Sequence, residues 1–291
     1  MSQGYRGFTK AELEREYSPS SCIEDIGYYL DRYATLSEGA RSQAEANPAV
    51  HCHWDCPYGE KPAQKLDLMV PEGPAEGAPL HLYIHGGYWQ QLDKRDSAFA
   101  APMLNEHGIA LGVLGYTLAP EASLSDIVEE CRQAIAWLYQ HGPDYGLDPS
   151  RVTLSGSSAG GHLVAMMLYT DWARYQVPQN VIKGIIAVSG VFELAPLPLT
   201  YIDEPLKLSE REISQLSPLN GTQPHPCTVV LAYGDNETAE FKRQSLDYLV
   251  LLEEQGVPVT CAEVSGRNHF DVVLDLNDET SWLGRQLLRM A

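Results

Sequence analysis

The sequence predicts an α/β fold built on a mostly parallel sheet of about eight strands, with helices on both faces. Three observations carry this. From Leu80 onward, short apolar runs alternate with segments of helical periodicity, the order of successive βαβ units. The runs are apolar throughout rather than at every second position, as suits strands buried on both faces. A chain of 291 residues, 44% hydrophobic, suffices for one large core, so residues 1–291 are expected to form a single domain.

Residues 1–47 are polar and helical in pattern. Thr9-Lys-Ala-Glu12 opens like a capping box, and Ile23–Leu36 repeats apolar residues at helical spacing. This segment is expected to be a helical extension packed on the main body. Two strand-like segments follow, Val50–Asp55 and Lys65–Val70, divided by Pro57-Tyr-Gly59; they are read as the antiparallel start of the sheet. Pro71–Pro79 is a loop, and the run Leu80–Ile84 ends abruptly in His85-Gly-Gly87. Further strands are expected at Ala110–Leu114, Val152–Leu154, Val181–Val188, Thr228–Tyr233 and Val257–Val264. Helical patterns fill Ser97–His107, Ser125–His141, Ala159–Tyr169, Ala239–Gln255 and Thr280–Met290. Residues 191–226 break the alternation with six prolines and read as a lid or cap inserted over the strand ends.

Charge narrows the function classes. With 39 acidic and 20 basic residues the formal charge is −19, which repels nucleic acid and anionic membranes. No stretch of 18 apolar residues occurs, so no membrane span is expected. The amino terminus, Met1-Ser-Gln-Gly-Tyr-Arg6, lacks the apolar run of an export signal. Six scattered cysteines without such a signal point to reduced thiols and a cytoplasmic setting. His51, Cys52, His53 and Cys56 invite a metal reading, but the stretch alternates like a strand and no matching Cys/His cluster follows. No metal is expected.

The strongest chemical signal is Gly156-Ser-Ser-Ala-Gly160, a G-x-S-x-G sequence with a strand pattern before it and a helix pattern after it. A nucleophile on so tight a turn needs neighbours without bulk, which Gly156 and Gly160 supply. Ser158 would then stand at a helix amino terminus, where developing negative charge is favoured. The bland alternative is a Ser/Gly-rich turn without chemistry. His85-Gly86-Gly87-Tyr88-Trp89, some seventy residues earlier, weighs against it. Glycines after a strand let backbone N–H groups approach a substrate, so Gly86, Gly87 and Ala159 are the candidate oxyanion donors. Tyr88 and Trp89 flank that turn and are read as walls of a substrate pocket, against the alternative of a packed hydrophobic corner.

A serine nucleophile of this kind needs an acid and then a histidine later in the chain. His269, in Gly266-Arg-Asn-His-Phe-Asp271, follows the last strand pattern and precedes the terminal helix. The other eight histidines lie on early strands, at the opening of the oxyanion turn, at helix ends, inside the elbow helix or between prolines. The acid should come from Gly234-Asp-Asn-Glu237, after the strand Thr228–Tyr233. Its distance past the strand favours Glu237. Asp235 remains the alternative, and Glu237 as a simple first-turn helix residue is a third reading.

With these residues assembled, the chain resembles the α/β-hydrolase superfamily, in particular its branch of esterases and kynurenine formamidases (arylformamidases). Tyr58-Gly59 with Leu66-Asp67, His85–Trp89, Gly156–His162, Glu240-Phe with Arg243-Gln-Ser245, and Asn268–Asp271 carry the likeness over nearly the whole chain. His-Gly-Gly-Tyr-Trp is fairly specific to the branch; G-x-S-x-G marks only the superfamily. In that branch the loop acid is usually an aspartate three residues past the glycine, and Glu237 departs from it by one methylene. The resemblance implies acyl transfer without a cofactor, on a small ester or an N-formyl aryl amide such as N-formylkynurenine. A general carboxylesterase is the alternative, and a catalytically silent binding module the alternative of another class. A small-molecule substrate is the expected partner, and a homodimer would fit the family.

Overall fold

A computed structural model describes residues 5–291. The first four residues, part of the stretch read for an export signal, lie outside the described residues. Eight strands form one sheet: β1 (Val50–Pro57), β2 (Lys65–Pro71), β3 (Ala78–Ile84), β4 (Ala110–Leu114), β5 (Leu147–Ser157), β6 (Ile182–Val188), β7 (Thr228–Asn236) and β8 (Val259–Asn268). Their order is β1-β2-β4-β3-β5-β6-β7-β8. β2 runs antiparallel to both β1 and β4, and every later pairing is parallel. The helices are α1 (Lys10–Glu16), α2 (Ile26–Ala46), α3 (Ala101–Glu106), α4 (Leu124–His141), α5 (Ala159–Met167), α6 (Asp203–Leu206), α7 (Glu210–Leu216), α8 (Ala239–Glu254) and α9 (Trp282–Met290). No helix among the described residues is long and apolar enough to cross a membrane.

The solid apolar runs are explained by two cores. Alternate residues of each central strand face opposite sides. Leu80, Leu82, Leu154, Ile185 and Leu231 pack under α4, α5 and α8. Their neighbours Tyr83, Leu111, Val113, Ile186 and Val230 pack under α2, α3 and α9. Each strand therefore needs apolar residues on both faces, which is the pattern the sequence carries.

Several boundaries differ from the sequence reading, and three of them have a clear local reason. The expected helix Ser97–His107 is a 3-10 turn, Lys94–Ser97, followed by the short α3. Pro102 lies in the first turn of α3, where its missing N–H costs nothing, and so marks a helix start. The alternation His51–Asp55 runs into a register shift between His53 and Cys56. Asp55 takes a φ of 56° there, and its N–H donates to the buried Asp67 carboxylate at 2.7 Å. The run Val152–Leu154 is the middle of the longer β5, which continues to Ser157.

The amino-terminal segment is bound to the body by polar anchors as well as apolar ones. Asp67, with no exposed surface, accepts from Arg41 of α2 at 2.6 Å and from Lys94 at 2.7 Å. Arg41 also lies over the Trp54 ring at 3.8 Å, a cation–π contact. Residues 191–226, between β6 and β7, hold α6, α7 and short 3-10 turns; Leu197, Ile202, Leu206 and Leu216 bury them against the main core.

Candidate active site

Ser158 sits at the turn from β5 into α5 with φ 57° and ψ −118°, a strained conformation for a residue with a side chain. Its N–H donates to the Val188 carbonyl at 2.8 Å, which fixes the turn against β6. Glycine is required on either side. A Cβ at Gly156 would run into the Gly160 carbonyl, and one at Gly160 into the Ile84 carbonyl. Ser158 therefore stands where the strand ends and the first N–H groups of α5 point outward.

Gly86 and Gly87 follow β3, the strand beside β5, and line the same cavity as Ser158. Gly87 has φ 89° and its carbonyl accepts from the Gln90 and Gln91 N–H groups at 2.9 and 3.0 Å, closing a tight turn. The N–H groups of Gly86, Gly87 and Ala159 have no acceptor among the described residues. His85 supports this turn from beneath. Its ring stacks on Tyr116 at 4.3 Å, and the Tyr116 hydroxyl donates to the His85 carbonyl at 3.0 Å. Burial pushes the His85 imidazole down to about 4, so it is neutral near pH 7.

Of the two aromatic residues read as pocket walls, Tyr88 lines the cavity and Trp89 does not. Trp89 is fully buried and meets the His162 ring edge to face at 5.0 Å. The reason is backbone geometry: φ is positive at both residues, 50° and 60°, so the chain turns the indole inward. The packed-corner reading thus describes Trp89 alone.

His269 follows β8 and is 4% exposed. Its Nδ1 lies 2.9 Å from Glu237 Oε2, so the imidazole N–H donates to that carboxylate. The other Glu237 oxygen, Oε1, accepts from the Ser189 hydroxyl and the Gly234 N–H, both at 2.6 Å. The longer glutamate thus reaches back to its own strand end while meeting the histidine. Asp235 is turned away. It is exposed and accepts from the Gly266 N–H at 2.9 Å and the Ser265 hydroxyl at 3.2 Å. The Gly266 N–H, foremost, holds its carboxyl below the usual range. Asn268 and Asp271 bracket His269: Asp271 accepts from the Asn268 N–H at 2.7 Å, and Asn268 accepts from the Phe270 N–H at 2.9 Å.

Ser158 and His269 line one cavity of about 280 Å³, with no hydrogen bond between them. Such bonds often close only once substrate is bound. Glu237 occupies Nδ1, which leaves Nε2 as the ring nitrogen free for another partner. Tyr83, Tyr88, Tyr201 and Phe270 give the cavity aromatic walls, and no Lys or Arg lines it. One wall was not expected from the sequence: Pro19, Ile26, Leu30 and Tyr33 come from the amino-terminal segment. Tyr201 and Ile202 come from the insertion, which was read as a lid over the strand ends. The Tyr33 hydroxyl donates to the Phe270 carbonyl beside His269. No short-range pattern signals a contact between residues 237 positions apart.

Comparison with known proteins places the chain in a family. Residues 66–232 match the BD-FAE family. The chain is 35% identical to a kynurenine formamidase of Danio rerio over 98% of both chains, and 36% identical to one of Salmo salar over 98% of both. Among solved structures it superposes on a thioesterase-like protein of Silicibacter sp. TM1040 with a TM-score of 0.80 at 27% identity, covering 96% of this chain and 98% of that one. Inhibited esterase B of Lactobacillus rhamnosis shares the fold, with a TM-score of 0.70 at 21% identity over 91% and 94% of the two chains. Likeness of this extent reaches from the amino-terminal extension to the last helix. The chain belongs to the esterase and kynurenine formamidase branch of the α/β-hydrolase superfamily, and it is a hydrolase.

Proposed function

We propose that the protein is an arylformamidase, hydrolysing N-formylkynurenine through Ser158, His269 and Glu237. One observation supports this above all: His269, tied to Glu237 at 2.9 Å, shares with Ser158 and the unpaired N–H groups of Gly86 and Gly87 one cavity with aromatic walls. At about 280 Å³ the cavity is at the small end of ligand sites, which run from roughly 300 to 1,000 Å³. A planar aryl amide with a one-carbon acyl group suits that space.

In this reading Ser158 Oγ attacks the formyl carbon while His269 Nε2 takes its proton. The carbonyl π pair moves onto oxygen, where the N–H groups of Gly86, Gly87 and Ala159 receive it. His269 then returns the proton to the aryl nitrogen, the C–N bond breaks and the amine leaves. A water molecule, deprotonated by His269, attacks the formyl ester carbon; the bond from that carbon to Ser158 Oγ breaks as His269 returns the proton to Oγ, and formate leaves. Glu237 holds the imidazole with its N–H on Nδ1 throughout, which keeps Nε2 free for the proton.

A cytoplasmic setting fits the six free cysteines. The test is turnover of N-formylkynurenine beside short p-nitrophenyl esters on the purified protein. A kcat/KM at least about tenfold higher for the formamide supports the proposal, a difference of roughly 1.4 kcal/mol in transition-state binding. A preference for the esters would make the chain a carboxylesterase.

A further inference from the structure

The turn that carries Gly86 and Gly87 is strained well beyond its glycines. Gly87 has φ 89°, Tyr88 50°, Trp89 60° and Leu92 70°. Residues with side chains seldom adopt this region, and a run of them persists only where the surroundings over-determine it. Three anchors do so here. Trp89 is buried against His162, whose Nε2–H donates to the Leu216 carbonyl at 2.7 Å, and the Trp89 carbonyl accepts from Ala119 at 2.8 Å. Gln90 donates to the Ile202 carbonyl of the insertion at 2.8 Å. The Tyr88 hydroxyl donates to the Tyr17 carbonyl of the amino-terminal segment at 2.7 Å.

The third anchor is itself rigid. The Tyr17 hydroxyl donates to Glu240 at 2.9 Å and accepts from the Gln244 amide at 2.7 Å. Gln244, fully buried on α8, also accepts from the Phe192 and Glu193 N–H groups at 2.6 and 2.8 Å. A path of hydrogen bonds thus runs from the insertion through α8 and the amino-terminal segment to the residue beside Gly87. We propose that Tyr88 is a positioning residue, whose hydroxyl, tied to the Tyr17 carbonyl, keeps the Gly86 and Gly87 N–H groups aimed at the developing oxyanion. This rests on the assignment of those glycines made above, and gives the amino-terminal segment a part in catalysis.

Donors to an oxyanion act in the transition state, so their misalignment lowers kcat and leaves KM in place. Losing a donor outright costs about 10²–10³-fold, and loosening its support should cost about tenfold. Tyr88→Phe in the full-length protein removes the tether and keeps the ring. Its kcat should fall about tenfold on both N-formylkynurenine and p-nitrophenyl acetate, with KM within about twofold. Phosphonylation of Ser158 by a fluorophosphonate should slow by the same factor. The ester and phosphonate arms do not depend on which substrate is natural, so they separate this proposal from the formamidase reading. Tyr17→Phe should cost kcat a smaller factor, and Tyr17→Phe with Tyr88→Phe should be no worse than Tyr88→Phe alone, since a cut tether transmits nothing. A raised KM at unchanged kcat would make the Tyr88 hydroxyl a substrate contact. Unchanged kinetics, or additive losses in the double variant, would also overturn the proposal.

Discussion

At the residue scale, the acid is the most informative position. Glu237→Gln keeps the shape of the side chain but offers His269 an amide in place of a carboxylate, favouring the wrong tautomer. Turnover should fall by about 10²–10⁴-fold with KM little changed. Asp235→Asn should change turnover by less than about threefold, because Asp235 holds the Gly266 turn and not the imidazole. The reverse ranking in steady-state kinetics would move the acid to Asp235. Ser158 and His269 were legible because their surroundings are local: glycines on either side of one, a strand end before the other. Trp89 was not, since a sequence does not say which way a residue turns when its φ becomes positive. Glu237 and Asp235 are two residues apart at the end of β7, and only the direction of each side chain separates them.

At the element scale, α2 and the turns before it cover the cavity, and one of the polar anchors of α2 is a buried carboxylate. Asp67 receives Arg41, Lys94 and the Asp55 N–H at once. Asp67→Asn leaves Arg41 without its counter-charge and Lys94 with only the half-exposed Asp55 carboxylate, and should destabilise the protein by about 3 kcal/mol. Arg41→Met should cost less, since Lys94 stays paired and Arg41 is partly exposed. Urea unfolding of both variants checks the order; an Arg41 variant weaker than the Asp67 variant would contradict it. The strands and most helices were readable from apolar period alone. The partnership of the amino-terminal segment with Phe270, Thr238 and Glu240 was not, because a polar helix advertises that it packs but not against what.

At the scale of the whole molecule, three buried histidines couple stability to pH. Burial holds His81 at about 3, and His85 and His162 at about 4, against an ordinary value near 6.5. Below pH 6.5 the unfolded chain binds these protons while the folded chain does not. Their contribution is therefore complete above 6.5 and is lost as pH falls toward 4. Relief of repulsion among the acidic residues acts the other way, but only where carboxylates begin to protonate, nearer pH 4. The urea midpoint should drop between pH 7 and pH 5; a midpoint that holds or rises across that window would mean the histidines are protonated in the fold.

The fold and the meeting of the candidate residues were legible at this scale because the sheet dictates both: Ser158 after β5, Glu237 after β7 and His269 after β8 all emerge at one end of parallel strands. Cleavage of formamides at this end through Ser158 is the proposal at stake. Hydrolysis of N-formylkynurenine by the wild-type protein and by Ser158→Ala, followed as released formate, tests it in one assay. Steady turnover by the wild type and a loss of at least about 10³-fold in the variant are expected, with both chains folded. Absence of wild-type turnover, or a Ser158→Ala protein that keeps most of it, would contradict the account.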